Sequence, residues 1–252
     1  MGMFTACFDA SGSEDDPRTP FLTVAGFIST TDDWVDFSAL WDERLGKDKI
    51  AYFRMSEFAH SEGEFKGWKN QEDRRRSLLT DLFNLIKSHA FRKFGCTVRI
   101  SALKEMNKDL RAQFYLTAYV LAGRHCAGDV LQWMIGEGQG LHTTPLALIF
   151  EEGDAGQSEL RRRLEEDGFP VNFRPKKDTT RETGMVEPGF VPLQAADILA
   201  YEMSLSTRRV NFDRWPTQEL LSMPGRIGIY DEEDIPALEK DLRVLGAGHH
   251  DD

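Results

Sequence analysis

The sequence predicts an α/β protein built on a mixed β-sheet, with helices on both faces of the sheet and helical insertions. Three observations lead to this fold class. Two short apolar segments near the start are typical of a β-hairpin, later apolar strands alternate with amphipathic helices, and the last of these helices is apolar nearly all round. A chain of 252 residues with 40% hydrophobic side chains can bury the core that such a sheet needs.

Hydrophobic periodicity predicts the individual elements. Short runs rich in β-forming residues indicate strands, and apolar residues three and four positions apart indicate helices. The predicted elements are strands at 3–9 and 21–28, a helix at 31–45, a loop-rich segment at 50–70, a helix at 71–89, a strand at 91–101, a helix at 109–135, a strand at 145–150, a helix at 158–167, a strand at 170–174, a loop at 178–190 and a helix at 192–206. This order calls for a mixed sheet.

Composition favours a cytoplasmic protein with reduced cysteines. No window approaches the roughly 18 uncharged apolar residues of a membrane span, and the first residues lack the basic end and cleavage site of a signal peptide. Cys7, Cys96 and Cys126 are far apart and lie in apolar segments, so we expect neither a disulfide framework nor a zinc site. We expect no association with a membrane.

The charge balance opposes a general DNA-binding role. Against 31 Lys and Arg residues stand 42 Asp and Glu residues, which gives a net charge of −11. A metal-dependent nuclease is still compatible with this charge, because bound cations neutralise an acidic site. The basic runs Arg74–Arg76 and Arg161–Arg163 lie in helical segments, and we interpret them as solvated helix faces.

Acidic residues follow two of the predicted strands. Asp9 comes directly after the first strand, where it could reach a site at the sheet edge or simply form an Asx turn. Glu151 and Glu152 end the apolar strand at 145–150, and only one of them can face a given site because successive side chains of a strand point to opposite faces. This strand lacks polar residues and is expected to be central, and ligands of open α/β sheets bind at the ends of such strands.

Asp197 lies in the helical stretch from Val191 to Leu205, where Glu202 is the only other charged residue. Such a helix should be buried, and an ionised carboxylate in it costs several kcal/mol unless it is paired or bound to a cation. Gln194 lies on the same face one turn earlier. The alternative is a structural Asp197 that bonds a neighbouring helix cap or an arginine.

Together, Asp9, Glu151 and Asp197 form a possible carboxylate cluster. Like charges placed that close need compensation, which Mg²⁺ or Mn²⁺ provides. The hypothesis is that Asp9 bridges two such ions, that Glu151 and Asp197 each hold one, and that the ions support phosphodiester hydrolysis. The side chains expected to orient the ligands or the water are those of Ser11, Glu152, Asp154 and Gln194.

The remaining polar residues give weaker signals. Lys176 and Lys177 follow the last predicted strand and could reach a scissile phosphate, although lysines in this position are commonly only solvated. The histidines have no mutual spacing that binds a metal, so we interpret them as surface or satisfied core residues. These histidines are His60, His89, His125 and His142.

Five segments resemble the domain of unknown function 3800 family, whose members have a ribonuclease H-like fold. They are FDASG, FLTVAGFI, YFRMSEF, IFEEGD and PLQAADILA, and the resemblance covers about residues 3–205. It implies that Asp9, Glu151 and Asp197 correspond to the three acidic positions of ribonuclease H-like nucleases. The chain departs from the family pattern at Ala10, where a Glu is usual, and at Arg54, where a His is common. These departures concern the auxiliary groups of the site rather than the fold.

The resemblance also suggests a domain organisation. Residues 1–210 are expected to form the ribonuclease H-like domain, with an insertion at about 31–90. Residues 211–252 are expected to form a C-terminal helical extension with a frayed tail.

Three functions follow as alternatives. The first is a metal-dependent phosphodiesterase or nuclease that acts on nucleic acid. The second is a noncatalytic interaction module of a mobile-element or phage-defence system, with a protein partner or as a homodimer, and the acidic charge favours it. The third is a small-nucleotide phosphohydrolase, whose short substrate needs no long basic groove. A fold does not by itself define a function, so the three acids are the main argument for the first alternative.

Overall fold

The protein, seen in a computed structural model, is described over residues 2–136 and 143–247. Its strands are β1 (Phe4–Ser11), β2 (Phe21–Thr30), β3 (Arg92–Arg99), β4 (Leu146–Glu151), β5 (Val171–Arg174), β6 (Thr179–Thr180), β7 (Val186–Glu187) and β8 (Gly225–Tyr230). Its α-helices are α1 (Thr31–Lys47), α2 (Met55–His60), α3 (Glu72–His89), α4 (Ile100–Glu105), α5 (Lys108–Gln113), α6 (Ala118–Gly136), α7 (Gln157–Glu166), α8 (Pro192–Arg209), α9 (Trp215–Leu221) and α10 (Ile235–Ala247). A short 3-10 helix spans Gly63–Phe65.

A mixed six-stranded sheet with the order β5-β4-β1-β2-β3-β8 forms the centre of the fold. β1, β2 and β3 are antiparallel neighbours, as the predicted hairpin requires. β4 runs parallel to β1, β5 parallel to β4, and β8 parallel to β3. The predicted α/β class with a mixed sheet is therefore confirmed, and a separate hairpin, β6-β7, lies in the predicted loop at 178–190.

Helices cover both faces of this sheet. On one face, Phe4, Ala6 and Phe8 of β1 pack in a core with α4 to α7 and α10. On the other face, Cys7 of β1 packs in a second core with α1 to α3, α8 and α9. The alternation of strand side chains divides β1 between the two cores, and Asp9 has the same parity as Cys7, on the α8 side.

The segment at 50–70 differs from the predicted loop-rich segment. It contains α2 and the 3-10 helix, and the rings of Phe53, Phe58 and Phe65 lie 5.1–5.5 Å apart in a buried aromatic group. Phe53 precedes α2, Phe58 lies in α2 and Phe65 lies in the 3-10 helix. The segment therefore shows no single period in the sequence, although it is well packed. Its backbone is held next to α8, which matters for the site described below.

Two further predictions differ from the structure. The helix predicted at 109–135 is divided into α5 and α6, and Tyr115 between them has a φ of 50°, a left-handed conformation that interrupts a helix. Only helices were expected after residue 210, yet β8 joins the sheet beside β3. Gly225 begins β8 so close to β3 that a Cβ there would lie 1.9 Å from the Lys93 carbonyl oxygen. Because β8 has two glycines and lies at an edge, its apolar pattern is weak.

The three cysteines are buried and unpaired, as predicted, and burial raises the pKa of the Cys7 and Cys126 thiols. Over residues 2–136 and 143–247, no helix is both long and apolar enough to cross a membrane. His142 and residues 248–252 of the predicted frayed tail lie outside the described residues.

Candidate carboxylate site

Two parallel strands and one helix bring the three predicted acids together. Asp9 in β1 and Glu151 at the end of β4 follow directly after the paired residues Phe8 and Phe150. Because β1 and β4 are parallel neighbours, their carboxyl ends meet at the same edge of the sheet. α8 packs across β1 and β2 on the same face and supplies Asp197. The open question of the two glutamates is answered here, since it is Glu151 whose carboxylate lies beside Asp9.

The three carboxylates surround one ammonium group, that of Lys176. The Lys176 Nζ atom lies 2.7 Å from Asp9 Oδ2, 2.8 Å from Glu151 Oε2 and 2.7 Å from Asp197 Oδ1. We call Asp9, Glu151, Asp197 and Lys176 the acid cluster. Three carboxylates facing one ammonium leave an excess of negative charge at this position.

Burial determines the electrostatics of the acid cluster. Lys176 is 5% exposed and Asp9 is 2% exposed. Burial, opposed by Lys176 and reinforced by Glu151, raises the pKa of Asp9 to about 7. Burial also raises the pKa of Asp197, against the influence of Lys176. Burial alone would lower the pKa of Lys176, but the carboxylates outweigh it and raise that pKa, so the ammonium stays charged.

Asp197 and Gln194 hold the neighbouring backbone as well. The second oxygen of Asp197 accepts a hydrogen bond from the Met55 N–H at the start of α2. This contact matches the alternative in which Asp197 bonds the end of a neighbouring helix, whereas its contact with Lys176 belongs to the acid cluster. Gln194 Oε1 accepts from Trp41 Nε1 at 2.9 Å and from the Phe53 N–H at 2.7 Å. Gln194 Nε2 donates to the Lys176 carbonyl oxygen at 3.0 Å. Gln194 therefore fixes the backbone that carries Lys176.

Asp154 and Tyr119, which both lie close enough to Asp9 to be affected by its charge, line a cavity of about 190 Å³. The Tyr119 hydroxyl is buried and has no hydrogen-bond partner among the described residues. Burial and the nearby charges of Asp154, Asp9 and Glu151 raise its pKa. Burial and Asp9 raise the pKa of Asp154 to about 6, although Lys176 and the exposed Arg54 oppose that rise. An unsatisfied hydroxyl beside acidic groups is suited to bind a water or a phosphate oxygen.

Other predicted site residues lie elsewhere. Glu152 does not reach the acid cluster, because its Oε2 pairs with Arg181 at 2.8 Å. Lys177 is exposed, and its Nζ contacts the Tyr52 hydroxyl at 3.3 Å instead. Ser11 is the last residue of β1 and shares the parity of Asp9, with Thr23 as its partner in β2.

The described histidines do not contribute to the acid cluster. His89 bonds the Leu85 carbonyl oxygen, and His125 lies 3.1 Å from the Tyr230 hydroxyl and 3.3 Å from Asp129 Oδ2. His60 lines a different cavity, which is described below.

No pattern in the sequence distinguishes Lys176 from Lys177 or singles out Tyr119. The two lysines are adjacent, and only the bond from Gln194 and the end of β5 determine which of them is buried. Tyr119 lies in the largely apolar helix α6 and looks like a core residue. Its position opposite Asp154 becomes visible only when α6 is packed against the sheet.

The carboxylate oxygens of the acid cluster are the type of ligand that a hard divalent cation prefers. Mg²⁺ and Mn²⁺ favour carboxylate oxygens, and three such oxygens here converge on a single cationic atom. In the described part of the chain no group of three or more His, Cys, Asp or Glu side chains is arranged to hold a metal ion directly. Since Lys176 Nζ is at the centre, a divalent cation would need this ammonium to move aside.

Comparisons with protein-family models, curated proteins and solved structures find no match for this chain.

Replacing Asp154 with asparagine is expected to change the pH dependence of stability in chelator. The pKa of Asp154 is about 6 in the folded protein and ordinarily 3.8, so the folded state binds this proton more tightly than the unfolded state. Asp154 therefore favours the folded state below about pH 4, and this contribution is lost as the pH rises to about 6. Across that window, Asp154→Asn should gain about 1–3 kcal/mol relative to wild type.

Urea unfolding at several pH values measures this difference. Asp36→Asn, at an exposed position of α1, serves as the matched control and should follow the wild-type profile. Parallel profiles for Asp154→Asn and wild type would contradict the assignment of a raised pKa to Asp154.

Proposed function

We propose that this protein is a divalent-metal-dependent phosphodiesterase or nuclease with a ribonuclease H-like domain. The observation that carries the proposal is the convergence of carboxylates from β1, β4 and α8 on one cationic atom, within 2.8 Å. The mixed sheet with helices on both faces supports the fold assignment. The sequence resemblance to the domain of unknown function 3800 family also supports the proposal, through motifs that contain the same three acids.

Asp9, Glu151 and Asp197 are the residues that would hold Mg²⁺ or Mn²⁺. The bound ions would lower the pKa of a water and neutralise charge on the phosphate. The chain's own groups would act around them. Tyr119 can donate its free hydroxyl to a water or a phosphate oxygen, and Asp154, with a pKa of about 6, can exchange a proton near neutral pH.

Lys176 has a distinct part in this proposal. Without a divalent cation, its ammonium is the positive charge that the three carboxylates share. If a cation took over that role, the ammonium could move toward the adjoining cavity of about 560 Å³, which Lys176 and Lys177 both line. A lysine at that position is suited to bind a phosphate oxygen.

A noncatalytic role is the second candidate, and one observation favours it. The Lys176 ammonium already contacts all three carboxylates, as it would in a structural ion cluster without a metal. In that case the acid cluster only holds β1, β4 and α8 together, and the protein acts through its surface.

Hydrolysis assays with and without metal ions test the proposal. Labelled single-stranded and duplex nucleic acids, together with a short phosphodiester, are incubated in Mg²⁺, in Mn²⁺ and in excess chelator. We expect cleavage of at least one substrate in metal and a loss of at least about 100-fold in chelator. Cleavage that persists in chelator would contradict the metal-dependent mechanism. The absence of both cleavage and Mn²⁺ binding, the latter measured by calorimetry, would favour the noncatalytic candidate.

A further inference from the structure

A second cavity, separate from the acid cluster, opens between α2, α3, α8 and α9. Its volume is about 450 Å³, within the range of sites that hold small ligands. Four arginines and the rings of one phenylalanine, one tyrosine and one tryptophan stand out among its lining residues. They are Arg75, Arg76, Arg209, Arg214, Phe58, Tyr201 and Trp215. We call this space the arginine cavity.

The charge of the arginine cavity is opposite to that of the protein. The chain has a net charge of −11, yet four guanidinium groups and one carboxylate, that of Glu72, line this cavity. Glu72 lies 3.9 Å from Arg75, so positive charge remains in excess. Arg214 is engaged by the buried Glu202, with 3.0 Å between NH2 and Oε1. Within the described residues, by contrast, Arg76 and Arg209 form no ion pair with a carboxylate. A concave surface of this sign concentrates anions near it.

Aromatic rings support two of the guanidinium groups. The Arg76 guanidinium lies 4.6 Å from the centre of the Trp215 ring, and the Arg75 guanidinium lies 4.2 Å from the centre of the Phe58 ring. Guanidinium planes and aromatic rings are the surfaces on which nucleobases stack. The N–H groups of a stacked guanidinium remain able to donate to a phosphate.

The arginine cavity adjoins the acid cluster along α8. Asp197, Tyr201, Leu205 and Arg209 follow one another at intervals of four residues, so they form a row on one side of the helix. At 1.5 Å per residue, Tyr201 lies about 6 Å beyond Asp197 along the axis and Arg209 about 18 Å beyond it. Met55, whose N–H bonds Asp197, also lines the cavity.

We propose that the arginine cavity binds a nucleoside phosphate, with the base against Tyr201 and the phosphate on Arg76 and Arg209. This inference deepens the proposed function and rests on it for the role of the ligand, which is the part of the substrate next to the scissile bond. The ligand is either a free nucleotide or one nucleotide unit of a single-stranded chain. The distance of about one helical turn between Asp197 and the near edge of the cavity suits either source.

Binding measurements in excess chelator test this inference, because binding there needs no metal-dependent step. AMP and adenosine are titrated by calorimetry, and a labelled short single-stranded oligonucleotide is titrated by fluorescence anisotropy. We expect AMP or the oligonucleotide to bind saturably, and adenosine to bind at least about tenfold more weakly than AMP because it lacks the phosphate. Arg76→Ala and Arg209→Ala should each weaken binding by at least about fivefold.

Arg162→Ala is the matched control. It removes the same charge from α7, on the opposite face of the sheet, where Arg162 pairs with Glu159 and Glu166. Its affinity should stay within about twofold of wild type. Equal affinities for Arg76→Ala, Arg209→Ala and Arg162→Ala would overturn the inference, as would the absence of saturable binding by both AMP and the oligonucleotide. If Arg76→Ala proves unfolded by circular dichroism, Arg209→Ala, at the exposed end of α8, decides alone.

The outcomes also identify the source of the ligand. Saturable AMP binding with no oligonucleotide binding assigns the cavity to a free nucleotide, and oligonucleotide binding that AMP displaces assigns it to a unit of a chain. Arginine-dependent binding without metal-dependent hydrolysis would retain the cavity and remove the proposed function. Hydrolysis without arginine-dependent binding would retain the proposed function and remove the assignment of the arginine cavity as a ligand site.

Discussion

Replacing Lys176 with methionine is expected to lower the free energy of unfolding by about 3–5 kcal/mol in chelator. The change removes the ammonium that lies within 2.8 Å of three carboxylates, while the side chain keeps a similar length. Asp9, Glu151 and Asp197 then face one another in a buried place without compensation. For a chain of this size, such a loss corresponds to a melting temperature lower by roughly 6–20 °C.

Lys177→Met is the matched control for this prediction. Lys177 is the next residue, but it is exposed, and its Nζ atom contacts the side chain of Tyr52. Its substitution should change the free energy of unfolding by no more than about 0.5 kcal/mol. Thermal melts of both variants in chelator make the comparison. Similar small shifts for both would show that Lys176 is not the counter-ion of the acid cluster.

Melting temperatures measured with metal ions distinguish two roles of Lys176, a counter-ion that a metal ion can replace and a permanent structural cation. If Mg²⁺ or Mn²⁺ binds the three carboxylates, it should raise the melting temperature of Lys176→Met more than that of wild type, since no ammonium competes and only the folded state offers the site. No metal-dependent shift in either protein would argue against the metal site. Should Lys176→Met fail to fold in chelator, recovery of a cooperative thermal transition of the same variant in Mn²⁺ gives the same evidence for the metal site.

Local rules were sufficient to predict where the acids lie. Asp9 and Glu151 each follow an apolar strand, and the alternation of strand side chains allows only one of Glu151 and Glu152 to face the site. The structure pairs these two strands in parallel, which brings the carboxylates to one edge of the sheet. Asp197 was noticeable because a charge in an apolar helix needs a partner. These inferences depend only on residues near in sequence, and the structure brings all three acids together.

The residues that were missed depend on contacts between distant parts of the chain. Lys176 is distinguished from Lys177 by its bond from Gln194 and by carboxylates from three other elements. Gln194 was expected to orient metal ligands, but its amide holds Trp41, Phe53 and Lys176, which no spacing in the sequence indicates. The pairing of Glu152 with Arg181 likewise requires the β6-β7 hairpin to fold back onto β4.

The arginine run at 74–76 also has a contact that the sequence pattern does not predict. We interpreted it as a solvated helix face, and this interpretation suits the run at 161–163, whose arginines pair with Glu159, Glu165 and Glu166 on their own helix. Arg74 and Arg76 of the first run are also exposed, as this interpretation expects, but α9 lies beside α3 and adds Trp215 opposite Arg76. Helical periodicity cannot reveal a partner that comes about 140 residues later.

Glu151→Gln and Glu152→Gln are expected to have very different effects on metal-dependent hydrolysis. The two substitutions are chemically identical and affect adjacent residues at the end of β4, but only Glu151 faces Asp9 and Asp197, whereas Glu152 pairs with Arg181. A neutral amide supplies no charge to a bound cation, and a loss of about 3 kcal/mol of transition-state stabilisation lowers the rate about 100-fold. We therefore expect Glu151→Gln to lose at least about 100-fold in activity and in Mn²⁺ affinity.

Glu152→Gln should remain within about threefold of wild type in both measurements, because it loses only a partly exposed ion pair. Initial rates in Mn²⁺ and calorimetric titrations with Mn²⁺, made on variants whose thermal melts show a folded protein, provide the comparison. If both variants lose activity equally, the end of β4 acts through its structure and not through one carboxylate. If Glu152→Gln alone loses activity and metal affinity, the site lies on the side of Arg181 and not around Lys176, and the assignment of Glu151 as a metal ligand is wrong.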